Sequence, residues 1–174
     1  MKVLDIYSAQ LQNAHDHIAQ VLQGLNSEQL NYRPNDYQHG IGFAAWHALR
    51  TWDGYYSLIT RSAPVYESGN WLERFGFDTR GKGAGGAGTG TGFTAQDVAA
   101  MNLSIEPLRD FLETVTSGTL QSLARINDDV LFDDAVVPWW NPPTTTFGRV
   151  LTHIVAHTFM HIGEAEYVRG LIGK

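Results

Sequence analysis

The sequence predicts an all-α fold, a four-helix bundle running up-down-down-up or in a similar order, with long loops between helices two and three and between helices three and four. Two observations carry that reading. Apolar residues recur at alternating steps of three and four along three stretches of the chain, and a further stretch is free of proline and rich in Ala, Leu and aromatics. Clusters of glycine, proline and small polar residues separate these stretches. At 174 residues with 43% apolar content, the chain holds enough core-forming material for a single domain over residues 1–174.

In the first helix, Leu4, Tyr7, Leu11, Ala14, Ile18, Val21 and Leu25 form one stripe along about six turns. From Asn26 to Asp36, cap formers mix with Pro34 and predict a short turn of helix followed by a polar loop. The second helix is expected from about Gly42 to Ser62, with Pro64 enforcing its end. The run from Gly81 to Gly92 is of low complexity, and the backbone entropy of so many glycines predicts a mobile loop. Gly81, Gly83 and Gly86 match the spacing of a dinucleotide fingerprint, but no strand precedes them and no βαβ unit follows, so that motif lacks its physical setting.

Thr94 and Asp97 have the spacing of a capping box, and Val98, Met101, Ile105, Leu108, Leu112, Val115 and Thr119 continue toward Leu123 as the third helix. Pro107 falls inside that pattern and is expected to bend the helix or split it. Between Asp128 and Pro143, three prolines flank Trp139 and Trp140, so an ordered loop or short extended segment is expected there. Anchoring that loop on the bundle is favoured over lining a pocket mouth as the work of the two indoles. The last helix follows Thr144–Thr146 and runs through Phe147, Leu151, Ile154, Thr158, His161, Ala165, Val168 and Ile172.

Lys and Arg total 12 against 18 Asp and Glu, and the net charge of −6 argues against a nucleic-acid partner. Cysteine is absent, so neither a disulfide nor a protein thiolate is available, and any metal must be held by nitrogen and oxygen. No apolar run approaches the ~20 residues of a membrane span, and the N-terminus lacks a signal-peptide core, so no membrane association and a cytoplasmic location are expected.

The chemistry rests on the spacing of histidines. Two histidines four apart on a helix have Cβ atoms ~6 Å apart and can converge on one ion at the ~2.0–2.1 Å bonds of zinc. Both His153/His157 and His157/His161 have that spacing. Measured from the centre of the apolar seam, His161 lies about 30° away, His157 about 70° and His153 about 110°, so His157 and His161 are the inner pair. A third ligand has to come from another helix. His47 lies mid-helix within about 40° of Phe43, Thr51, Gly54 and Leu58 and is the best candidate, whereas His15, His17 and His39 read as solvated or capping residues. Spacing alone leaves open whether the pair binds metal or simply hydrogen-bonds within a core. Three neutral imidazoles with an open position would match a catalytic rather than a structural zinc site. Glu164, three residues after His161, could serve as a catalytic general base, orient a ligand histidine, coordinate weakly, or be a solvated flank carboxylate. Arg50 and Asp53 read as a structural i, i+3 ion pair.

Taken together, Leu25-Asn26-Ser27-Glu28-Gln29-Leu30-Asn31-Tyr32-Arg33-Pro34, the following stretch ending in Trp46-His47, His157-Thr158-Phe159-Met160-His161-Ile162-Gly163-Glu164 and Tyr167-Val168-Arg169-Gly170 resemble the DinB/YfiT-like superfamily of metal-binding four-helix bundles over essentially the whole chain. The resemblance implies a metal triad at His47, His157 and His161, with zinc or nickel foremost among the divalent ions. Glu164 stands where the family often has glutamine, and the glycine-rich run is atypical. Members include thiol-dependent transferases and isomerases that use mycothiol, bacillithiol or glutathione, as well as proteins described as metal-dependent hydrolases, and many are homodimers. The expectation is therefore a metal-dependent enzyme that activates a low-molecular-weight thiol cosubstrate for transfer to a small electrophile, acting as a homodimer on a small-molecule substrate. The alternatives are a hydrolase using metal-bound water with Glu164 as base, and a non-catalytic metal- or ligand-binding stress-response module.

Overall fold

The spaced apolar stretches become long helices in the computed structural model, which describes residues 2–174. Helix α1 spans Val3–Leu22 and buries Leu4, Leu11, Ala14, Ile18 and Val21, the stripe its sequence spacing predicts. Its first two amides, Val3 and Leu4, donate to the Asp128 carboxylate at 2.7 and 3.0 Å, so a loop more than a hundred residues away closes the open end of the helix. Helix α2, Ser27–Asn31, is the short turn expected after it, with Asn26 and Gln29 exchanging capping bonds. Helix α3, Ile41–Thr60, is followed by the short α4, Val65–Ser68, and α5, Trp71–Phe75. Then come α6, Ala95–Ala99, α7, Ile105–Leu123, and α8, Phe147–Leu171. Both α1 and α3 pack against α7 and α8, and the α3–α8 interface is the most extensive.

Two expectations are corrected. The Thr94–Asp97 capping box forms, but it opens the separate α6. The break in the third helical stretch falls at 100–104, ahead of Pro107, which sits in the first turn of α7 without bending it. At that position its missing N–H is one a helix leaves unbonded anyway. The glycine run, expected to be mobile, follows a defined path. Ala84 N–H donates to the Thr91 carbonyl at 2.8 Å and Gly88 N–H to the Lys82 carbonyl at 3.0 Å, closing the segment into a strap. At Gly88, φ is +62° and a Cβ would lie 2.6 Å from the Thr79 carbonyl, so the abundance of glycine here serves close approach more than flexibility.

The proline-rich segment folds as a short antiparallel ribbon in which β1, Asp134–Val136, pairs with β2, Thr144–Thr146, in the register Asp134 to Thr146. At its tip, Trp139 and Trp140 both donate their indole N–H to the Tyr55 hydroxyl, at 2.9 and 3.0 Å. This is the anchoring arrangement favoured from the sequence.

Helix α3 is the centre of the fold. Every residue from Ile41 to Asp53 is buried, because α8 and α7 cover two sides and α1, α2, α4 and the strap close the rest. Arg50 and Asp53 are therefore enclosed at 4% and 5% exposure rather than forming a surface pair. Their charged groups approach to 3.4 Å, the guanidinium lies 3.7 Å over the Tyr66 ring, and Asp53 accepts the amides of Val65 and Tyr66 at 2.8 and 2.9 Å. Burial pulls the Asp53 carboxyl upward and the Arg50 guanidinium downward, while their mutual attraction opposes both shifts. Removing one partner leaves a lone charge in the core. Asp53→Ala is expected to cost about 3–5 kcal/mol in urea unfolding. The double replacement Arg50→Met/Asp53→Leu is expected to cost less than the single one, since no charge is then stranded.

Candidate metal centre

Because α3 and α8 face each other along their length, an inward residue on one meets inward residues one turn apart on the other. His47 of α3 thereby meets His157 and His161 of α8. Its ring centroid lies 5.1 Å from that of His157 and 4.6 Å from that of His161, and the latter two are 4.5 Å apart. One ring nitrogen from each of the three lies within 4.8 Å of the others.

The outer partners decide which nitrogen faces the centre. Nδ1 of His47 meets the Thr89 carbonyl at 2.6 Å, and Nδ1 of His161 meets the Glu164 carboxylate at 2.7 Å. Carbonyl and carboxylate oxygens only accept, so both rings donate from Nδ1, and in the neutral form of each the bare nitrogen is Nε2. Nε2 of His161 lies 3.2 Å from Nε2 of His157. Two nitrogens bound to one tetrahedral ion at zinc-like bond lengths stand ~3.3 Å apart, so the pair already has the separation an ion requires. Nδ1 of His157 is buried and meets no protein partner. The donor set is that of a borderline divalent ion, and the three residues fit one.

Two of the rings are also in the right protonation state. Burial lowers His47 to about 4, opposed by the Thr89 carbonyl, and lowers His157 to about 3, with the neighbouring His161 adding to the effect. Both are neutral near pH 7, so an ion can bind without displacing their protons.

Glu164 is half-exposed and spends one oxygen on His161, on the side away from Nε2. The remaining histidines stay outside the cluster. His153 packs between Tyr55 and Trp140, with ring centroids at 4.7 and 5.1 Å. His39 packs against Phe43 with ring centroids 4.3 Å apart, and His17 is half-exposed beside Glu166. His15, read as solvated or capping, instead bridges helices, with Nε2 2.8 Å from Glu113 on α7 and Nδ1 2.9 Å from Asp16. Sequence reasoning missed Thr89 altogether, since a backbone carbonyl leaves no residue signature. It also missed Gly90, whose only trace is membership of the glycine run.

The lowered pKa values make stability fall in acid. Above the ordinary histidine value of 6.5 both folded and unfolded rings are neutral. Below it the unfolded chain takes up protons that folded His47 and His157 refuse until about 4 and 3, so stability is lost progressively as pH falls through that window. In metal-free protein the urea midpoint should drop between about pH 7 and about pH 5, and the drop should be smaller in His157→Gln.

No curated protein matches the chain. Among solved structures, the crystal structure of a conserved protein from Enterococcus faecalis superposes with a TM-score of 0.85 at 26% identity, covering 100% of this chain and 99% of that one. No helix is long and apolar enough to cross a membrane among the described residues. The family model of the DinB superfamily matches residues 10–165, a span that includes His47, His157, His161 and Glu164, and the chain belongs to that superfamily.

Proposed function

We propose that the protein is a metal-dependent enzyme in which a divalent ion, zinc or nickel foremost, is held by His47, His157 and His161 and activates a low-molecular-weight thiol for transfer to a small electrophile. The observation that supports this is the convergence of three imidazoles from α3 and α8, two of which have their outer nitrogen engaged by a fixed acceptor. Three protein donors leave room for an outside ligand, as in catalytic rather than closed structural sites. A divalent ion there would lower the pKa of a thiol or water reaching the free position.

The chain's own residues hold and orient. Glu164 keeps the His161 proton on Nδ1, and the Thr89 carbonyl does the same for His47. Thiol transfer is preferred over hydrolysis because Glu164 is occupied on the far side of His161 and is not poised as a general base over the open position. With no cysteine in the chain, the thiolate has to arrive with a cosubstrate. A small-molecule substrate and a second copy of the chain belong to the same proposal.

Alanine at His47, His157 or His161 should abolish metal binding, read by metal analysis of dialysed protein. Glu164→Gln should keep it, because the amide oxygen still accepts the Nδ1 proton, whereas Glu164→Ala should weaken it about 10- to 100-fold. Thiol consumption against a panel of electrophiles tests the chemistry. Turnover of esters or amides without added thiol would replace it with hydrolysis, and full metal occupancy with no turnover would leave a binding module.

A further inference from the structure

Of the glycine run singled out by the sequence, the metal reading uses only the Thr89 carbonyl, yet the run as a whole closes over the centre. We infer that the strap of residues 81–92 positions His47: the Thr89 carbonyl locks the ring proton on Nδ1, and Gly90 lets the backbone close over the imidazole. The functional sense of this rests on the metal reading, but the geometry stands without it.

A neutral imidazole divides between two tautomers unless one of its nitrogens is held. Thr89 sits 2.6 Å from Nδ1 and can only accept, so the lone pair is left on Nε2, the nitrogen that faces α8. Gly90 makes the approach possible. Its φ is +105°, and a Cβ there would lie 2.8 Å from Nδ1 of His47 and 3.1 Å from the Trp46 ring. Any other residue would push the strap off the ring or the ring off the strap.

The carbonyl is held in place by more than this one bond. Lys82 pairs with Asp97 at the start of α6, and Phe93, just beyond the strap, packs its ring 6.1 Å from Trp46 and 6.4 Å from Phe43. Trp46 is fully buried and immediately precedes His47, so the core that fixes the helix also fixes the strap against it. Thr89 and Gly90 thus do for His47 what Glu164 does for His161, with a backbone dipole in place of a carboxylate. They are positioning residues and not ligands.

Long-range ¹H–¹⁵N correlation spectra of metal-free, histidine-labelled protein read the tautomer directly. Wild-type protein is expected to show His47 as the Nδ1–H form alone. Gly90→Ala is expected to show a mixture of tautomers and to weaken Zn²⁺ binding about 10- to 100-fold in competition with a chromogenic chelator. Gly54→Ala, on α3 with open space around it, should change neither. If Gly90→Ala loses its helical circular dichroism, Gly88→Ala displaces the base of the strap against Thr79 and is read the same way. An Nε2–H tautomer in wild-type protein, or a folded strap variant with unchanged tautomer and affinity, overturns the inference. If wild-type protein binds no Zn²⁺, the metal reading fails and the tautomer spectrum alone decides the role of the strap.

Discussion

Packing of α3 against α8 governs where everything else in the molecule can go. Because α3 is enclosed on all sides along its first three turns and beyond, its charged and imidazole side chains cannot escape to solvent and find their partners within the protein, while Trp46 Nε1, Arg50 Nε and Thr51 Oγ1 stay without one. Arg50 and Asp53 find each other and the amides at the start of α4. His47 finds the strap on its outer nitrogen and the two α8 histidines on its inner one.

These two buried polar groups on one helix differ in a way that separates scaffold from site. The Arg50–Asp53 pair balances its charge within the core and stacks its guanidinium on Tyr66, so its two charges are spent on each other. His47 and His157 are neutral near pH 7, His47 and His161 have their outer nitrogens engaged, and the inner nitrogens converge, with Nε2 of His157 and Nε2 of His161 3.2 Å apart. Nitrogen donors gathered in this way can share a proton between His157 and His161 and still offer lone pairs to a cation, so the burial that makes the ion pair structural makes the histidine cluster receptive.

The helices and the three converging histidines were legible because both depend on periodicity, which a sequence states directly. The seam of α8 orders His161, His157 and His153 by angle, and the structure keeps that order, with the first two at the centre and His153 against Tyr55 and Trp140. Other features depend on contacts between distant segments. His15 reads as a surface residue until α7 brings Glu113 to it, and Asp128 caps α1 only because the chain returns there after α7. Composition gave no path for the glycine run, where the same residues signal freedom in an isolated chain and allow close approach in a folded one. Pro107 misled for a related reason, since its effect depends on whether a helix starts before it or passes through it.

Tyr55 illustrates how little can hold a segment in register. Its one oxygen receives both indole donors of the ribbon tip, which engages its two lone pairs and leaves its own hydrogen as the group it still has to offer. Two large side chains from a proline-rich loop therefore hydrogen-bond to the central helix through a single phenolic atom. Unlike a hydrophobic contact, which weakens by degrees as surfaces slide, this tether is discrete: if that atom is lost, both indole hydrogen bonds go together, while ring contacts with Tyr55 and His153 remain.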